Sequence, residues 1–161
     1  MLPTARSLSL VTATVTTGLS AGLFYAFACS VMPGLARTDD GTFVTTMRAI
    51  NDAILNGWFA LITLGALLTT PLTVALHLNH PSAIRFWAGA ALALQLLAVA
   101  VTARVNVPLN EALATGKVDP RADQLDRTRA AFEAPWNRWH LLRTLASIAA
   151  FGCLLIATGT R

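Results

Sequence analysis

The chain has 161 residues, 55 % of them hydrophobic and only 12 % charged, with a net charge of +4. A soluble domain carries roughly 25 % charged residues, so the composition excludes one, and the length leaves no room for one beside several membrane spans. The basic residues sit at the ends of apolar runs and form no stripe, which excludes a nucleic-acid interface and fits the loop bias of membrane proteins.

Four apolar runs, Leu8–Leu35, Ala53–Leu76, Ala83–Ala103 and Leu141–Thr158, contain no acidic residue. Each is close to or above the roughly 20 residues a helix needs to cross about 30 Å of hydrocarbon. Because no water is present there to satisfy the backbone, each must be helical. The predicted fold is all-α: a single domain over 1–161, built as a four-helix transmembrane bundle with spans near 8–35, 53–76, 83–104 and 137–158 and a long loop between helices 3 and 4.

Arg6 precedes helix 1, which exceeds the roughly 7–15 residues of a signal-peptide core and reads as a retained span. Gly18 and Gly22 share a face in a small-xxx-small pattern that permits close helix approach, within the bundle or between protomers, so homo-oligomerisation is left open. Pro33-Gly34 ends the helix, and Ala36–Asp52 reads as a polar loop 1. Helix 2 is expected from about Asp52, with Asn56 and Trp58 in its first two turns and Pro71 near its far end. Loop 2, His77–Ser82, suits an antiparallel hairpin in which Ser82 caps helix 3. His77 and His80 lie there without a nearby acid or cysteine, which is a weak metal pattern. Helix 3 carries one mid-span polar residue, Gln95, and continues past Arg104 toward Glu111. In loop 3, Lys117–Glu133 alternates charges and reads as a short surface helix, after which Pro135 suits the first turn of helix 4. Cys29 and Cys153 read as buried apolar thiols at different depths; with no CxxC, they argue against thiol-redox chemistry.

Four spans place both termini with loop 2, on a side holding Arg6, Arg85 and Arg161. The opposite side holds Arg37, Arg48, Arg104, Lys117, Arg121, Arg127, Arg129 and Arg138, together with every acid in the chain. The positive-inside bias therefore puts loops 1 and 3 in the cytoplasm; the single lysine among many arginines suggests a GC-rich bacterial genome, and the expected location is a bacterial plasma membrane.

Polar side chains converge at the loop 1/loop 3 end. Helix 2 brings Asn51 and Asn56; helix 3 brings Asn106 and Asn110, four apart on one face; helix 4 brings Trp136, Trp139, His140 and Arg143. An ionisable group inside a span costs about 2.5–3.5 kcal/mol on insertion scales and is usually turned inward and functional. Each residue also has a plainer reading. Arg143 can snorkel or pair with Glu111 or Glu133, His140 can cap backbone, the tryptophans can form an interfacial belt, and the two asparagines can satisfy backbone groups freed by Pro108. No HExxH, Gly-rich phosphate loop or Cys/His pair is present, so no metal site is assigned.

Met32-Pro33-Gly34, Asn51, Asn106-Val107-Pro108-Leu109-Asn110, and Trp136/Trp139 with His140 and Arg143, in that order, resemble the DUF1772 or anthrone oxygenase-like family of small integral membrane proteins. The resemblance covers nearly the whole chain and rests on order and spacing. It implies oxidation of a hydrophobic aromatic, polyketide-type molecule, an anthrone, by O2 as co-substrate, with no added flavin or metal. On that reading His140 is the base. Arg143, Asn106 and Asn110 stabilise anionic intermediates, while Trp136, Trp139, Asn51 and Asn56 bind substrate arriving from the lipid bilayer. Two alternatives stay open. One is a non-catalytic tetraspan protein binding a partner or a small hydrophobic ligand; the other is a haem- or metal-dependent membrane enzyme with His140 as ligand.

Overall fold

In hydrocarbon an open backbone has nothing to bond to, and the chain is accordingly helical almost throughout. The computed structural model describes residues 2–79, 82–115 and 122–160. Helix α1 (Leu2–Ala26) runs through a wide π turn, Phe27–Val31, into α2 (Met32–Leu35). After α3 (Asp40–Ala53) and α4 (Gly57–Leu76), α5 (Ser82–Val101) runs through a second π turn, Thr102–Asn106, into α6 (Val107–Thr115), and α7 (Ala122–Gly159) closes the chain. Four continuous helices are long and apolar enough to span a membrane: Pro3–Leu35, Gly57–Leu76, Ala83–Thr115 and Gln124–Gly159. The protein is an integral membrane protein built as a four-helix transmembrane bundle.

Three of these helices have 33, 33 and 36 residues, whereas the α4 span has 20. At 1.5 Å per residue the long ones reach about 50 Å and α4 about 30 Å. The α4 span therefore matches the hydrocarbon core, and the others protrude about 20 Å on the side where α3 lies.

That protrusion has its own core of Met32, Leu35, Phe43, Val44, Met47, Leu113, Phe132 and Trp136. The bundle's other core is alanine-rich, with Ala13, Ala91, Ala150 and Ala157 beside Leu10, Ile84 and Leu154. Small residues let helices approach closely in lipid. The large ones, such as Leu61, Leu64, Leu68 and Leu72 along α4, face outward. Between the two cores lies a belt of buried polar groups that includes Thr17, Gln95, Asn106, His140, Arg143 and Ser147.

Two stretches differ from the sequence reading. Loop 1 is largely a helix, α3. Asp39 caps it, its Oδ1 accepting from Thr42 N (3.0 Å) and its Oδ2 from the Thr42 hydroxyl (2.6 Å). Those bonds to the ionised form hold the Asp39 carboxyl below its ordinary range. Phe43, Val44 and Met47 give α3 its buried face. The second difference is α7, one helix from Ala122 through Pro135, where a surface helix and a separate helix 4 were expected. Pro135 removes the partner of the Ala131 carbonyl, and both residues are exposed. Arg129 pins α3 to α7. It donates to Glu133 (2.7 Å), to Asp40 (2.9 Å) and to the carbonyls of Thr38 and Ala36, and its guanidinium lies 4.6 Å from the Phe43 ring centre. Residues 116–121 of the expected loop 3, and His80 of the weak histidine pair, lie outside the described residues. Cys29 is exposed rather than buried, and neither cysteine is bonded to the other.

The glycines of α1 behave differently from one another. A Cβ on Gly18 would meet the Phe151 ring of α7 at 2.8 Å, whereas one on Gly22 would meet nothing within 4 Å. The unexpected close approach is Gly65 of α4, where a Cβ would lie 2.8 Å from Thr16 Cγ2 of α1. Leucine at Gly18 or Gly65 is expected to destabilise the bundle by about 1–3 kcal/mol through overpacking, and Gly22→Leu to leave the protomer unchanged. Thermal melting of the three variants in detergent checks this; equal losses at all three positions would contradict it.

Candidate functional site

Two prolines shape the site. Proline has no N–H, and its ring collides with the carbonyl four residues back. Pro33 and Pro108 each follow a π turn by two residues, and the turns open the helix at that point. Met32 N bonds Phe27 O, and Val107 N bonds Thr102 O, each five residues back. Such bulges are frequent at functional sites because they re-aim side chains without ending the helix. Both turns pack against α7.

On α7, residues four apart stack into a column. Trp136 is sandwiched, with Phe132 on one side (centroids 5.9 Å, planes 29° apart) and His140 on the other (4.5 Å, 15°). Arg143 continues the column inward. Its Nε donates to His140 Nδ1 (3.0 Å) and its Nη1 to the Thr102 hydroxyl (3.2 Å). The guanidinium lies 4.6 Å from the Phe24 ring centre and 5.3 Å from that of Trp136. Because Nδ1 accepts, the imidazole proton is assigned to Nε2, which donates to the Phe24 carbonyl (3.0 Å).

Burial makes this arrangement demanding. His140 is 2 % exposed and Arg143 8 %. Among the described residues no carboxylate pairs with Arg143, and Glu133 is committed to Arg129. Arg143 is thus a buried cation held by neutral acceptors and aromatic faces. Asn106, fully buried, donates weakly to Trp136 O (3.4 Å) and leaves its Oδ1 without a partner. Asn110 Oδ1 accepts from the Trp136 indole N–H (2.8 Å). The Nδ2 of Asn51 is also buried without a partner.

Arg143, Asn51, Asn106, Asn110 and Trp136 line one cavity of about 250 Å³, together with Phe24, Phe27, Phe59 and Thr102, and with Asp52 and Glu111. Three helical segments therefore bring five of the eight expected residues to one space. His140 lies behind Trp136, off that wall, and borders a separate hollow with Met32 and Pro33. Asn56 does not join them. It caps α4, accepting from Trp58 N and Phe59 N and donating to Ala53 O, and it is exposed. Trp139 is 38 % exposed and lines none of these cavities.

The contributions of α1 were missed. Nothing in a continuous apolar run distinguishes Phe24 and Phe27 from their neighbours, although a proline six residues after both Phe27 and Thr102 marks the two π turns. Among the described residues no three His, Cys, Asp or Glu side chains gather into a metal-binding group. A haem or metal at His140 would have to displace the Arg143 or the Phe24 bond.

A family model described as Anthrone oxygenase matches residues 47–153, a stretch holding Asn51, Asn106, Asn110, Trp136, His140 and Arg143. No curated protein and no solved structure matches the chain.

Proposed function

Because the chain belongs to the anthrone oxygenase family, we propose that it is a membrane oxidoreductase that uses O2 to oxidise a hydroxylated, fused-ring aromatic of the anthrone type. The observation that carries this reading is Arg143: a buried guanidinium on a cavity wall with no carboxylate partner among the described residues. Aromatic faces return only about 0.5–2 kcal/mol of the cost of burying such a charge. An anionic ligand would supply the missing counter-charge.

Anthrone chemistry supplies one. Loss of a proton from the ring methylene, or from its phenol tautomer, gives a delocalised anion. The anion passes one electron to O2, and the resulting radical and superoxide combine as a carbon-bound peroxide. After protonation, the remaining C–H proton and the distal hydroxide leave as water, and a ketone forms. One O2 is consumed and one water released per ring oxidised.

In this reading Arg143 holds the anionic oxygen, helped by Asn110 Nδ2 and Asn51 Nδ2 as donors. Asn106 presents an acceptor, Oδ1, which suits a substrate hydroxyl. His140 takes the proton at Nδ1 once the oxygen of the bound neutral substrate draws the Arg143 Nε off it. Trp136 fixes the column that aims Arg143, and the rings of Phe24, Phe27 and Phe59 give the apolar wall for a flat substrate. Loops 1 and 3, and with them the cavity mouth, face the cytoplasm of a bacterial cell on the arginine count.

The test is oxygen uptake by detergent-purified protein supplied with a polyhydroxylated anthrone. The expected result is uptake above the spontaneous rate, with one O2 consumed per anthrone. No uptake by folded protein would reject anthrones as substrates.

A further inference from the structure

Below the site, within the membrane, is a second cavity of about 190 Å³ that the reaction above does not use. It shares Phe24, Phe59, Thr102 and Val107 with the upper cavity, so the two adjoin. Its outer side includes Val99, Ala103 and Val107, which are exposed on the surface that meets lipid.

The cavity is mostly apolar, but two polar atoms in its wall are unsatisfied. Gln95, 7 % exposed, donates through Nε2 to the Thr17 hydroxyl (2.6 Å) and leaves Oε1 without a partner. On the facing helix α4, the Thr63 hydroxyl is buried and unpartnered as well. Thr63 shares this with Thr70 of the same helix, which lies off this cavity, but differs from six other span threonines. These six, Thr14, Thr16, Thr69, Thr73, Thr102 and Thr144, donate to the carbonyl four residues back. An unsatisfied buried polar atom costs about 1–3 kcal/mol, and lipid offers no water to relieve it.

We propose that this cavity is a membrane-level binding subsite for the phenolic hydroxyl of a lipid-dissolved aromatic molecule. Gln95 Oε1 accepts the hydroxyl proton, and the Thr63 hydroxyl donates to the same oxygen. The space exceeds the roughly 150 Å³ that suffices to hold benzene, so it takes at least one ring. A fused-ring molecule can then place a ring hydroxyl here and its anionic oxygen at Arg143. The identity of that reacting end rests on the function proposed above, but the subsite is tested by binding alone.

The probes are 1-naphthol and naphthalene, with affinity for the detergent-purified full chain read from ligand fluorescence. Gln95→Leu is expected to weaken 1-naphthol about tenfold, the loss of one hydrogen bond of about 1.4 kcal/mol, and to leave naphthalene unchanged. Thr63→Val is expected to weaken 1-naphthol about threefold and naphthalene not at all. If Gln95 only ties α1 to α5 through Thr17, its replacement shifts both ligands equally or neither, and the proposal falls. Should Gln95→Leu fail to assemble, Thr63→Val carries the same comparison, because its hydroxyl bonds nothing in the bundle; unchanged 1-naphthol affinity there overturns the proposal. Selective loss of 1-naphthol in a protein that does not turn over anthrones would uphold the subsite and reject the reaction.

Discussion

Arg143→Met is expected to lower turnover of a polyhydroxylated anthrone about 10²–10³-fold while leaving the melting temperature unchanged or slightly raised. The fall in activity is the usual effect of removing one donor aimed at a developing anion in a water-poor site. Stability moves independently because the guanidinium is buried without a carboxylate among the described residues, and replacing a buried charge by an apolar chain of similar length is often neutral or stabilising. The opposing term is the His140 Nδ1 left without its donor at 3.0 Å, worth about 1–3 kcal/mol, so the two effects nearly cancel. Arg143→Lys keeps the charge but loses the planar fork that reaches His140 and Thr102 together; its activity is expected between the two. Oxygen uptake and thermal melting on the same preparations separate the alternatives. An arginine that served only the fold would give the reverse, a large drop in melting temperature with residual turnover in whatever protein stays folded.

The spans were legible because hydrocarbon enforces them: four runs without an acid admit little but four helices. The residues outside the hydrocarbon were harder. Phe43, Val44 and Met47 are spaced for a helix face, but Arg48, Asp39, Asp40 and Asp52 around them make the stretch look like a loop. That face is revealed by Leu113 and Phe132, far away in sequence, which pack on it. At Pro135 the local rule against proline in a helix interior yielded to an exposed carbonyl.

The site was half legible, for a related reason. Helix spacing put Asn106 beside Asn110 and Trp136 beside Arg143, and the cost of burying them argued for a common cavity, which the structure contains. Spacing says nothing about which side of a helix end a residue serves. Asn56 turned out to be a cap and Trp139 a surface residue. Gln95 was visible as the one polar residue in mid-span. That one end of its amide is tied to Thr17 and the other is free depends on helix packing.

His140→Ala should lower kcat about 10²–10⁴-fold, the range of a lost general base, with KM little changed because His140 lies behind Trp136 and off the wall of the cavity that Arg143 lines. Loss of activity alone cannot assign the role, since His140 also holds Arg143 through Nδ1 and is itself fixed by Phe24 O. The pH dependence can. A base is dispensable once solvent ionises the substrate, so the deficit of His140→Ala should shrink as pH rises toward the anthrone's own ionisation. The Arg143→Met deficit should persist, because the anion still has to be held. If instead the His140→Ala deficit stays constant across that range, the imidazole is a positioning group for Arg143. The proton would then have to leave another way, and the carboxylates of Asp52 and Glu111 lining the same cavity are the groups placed to take it.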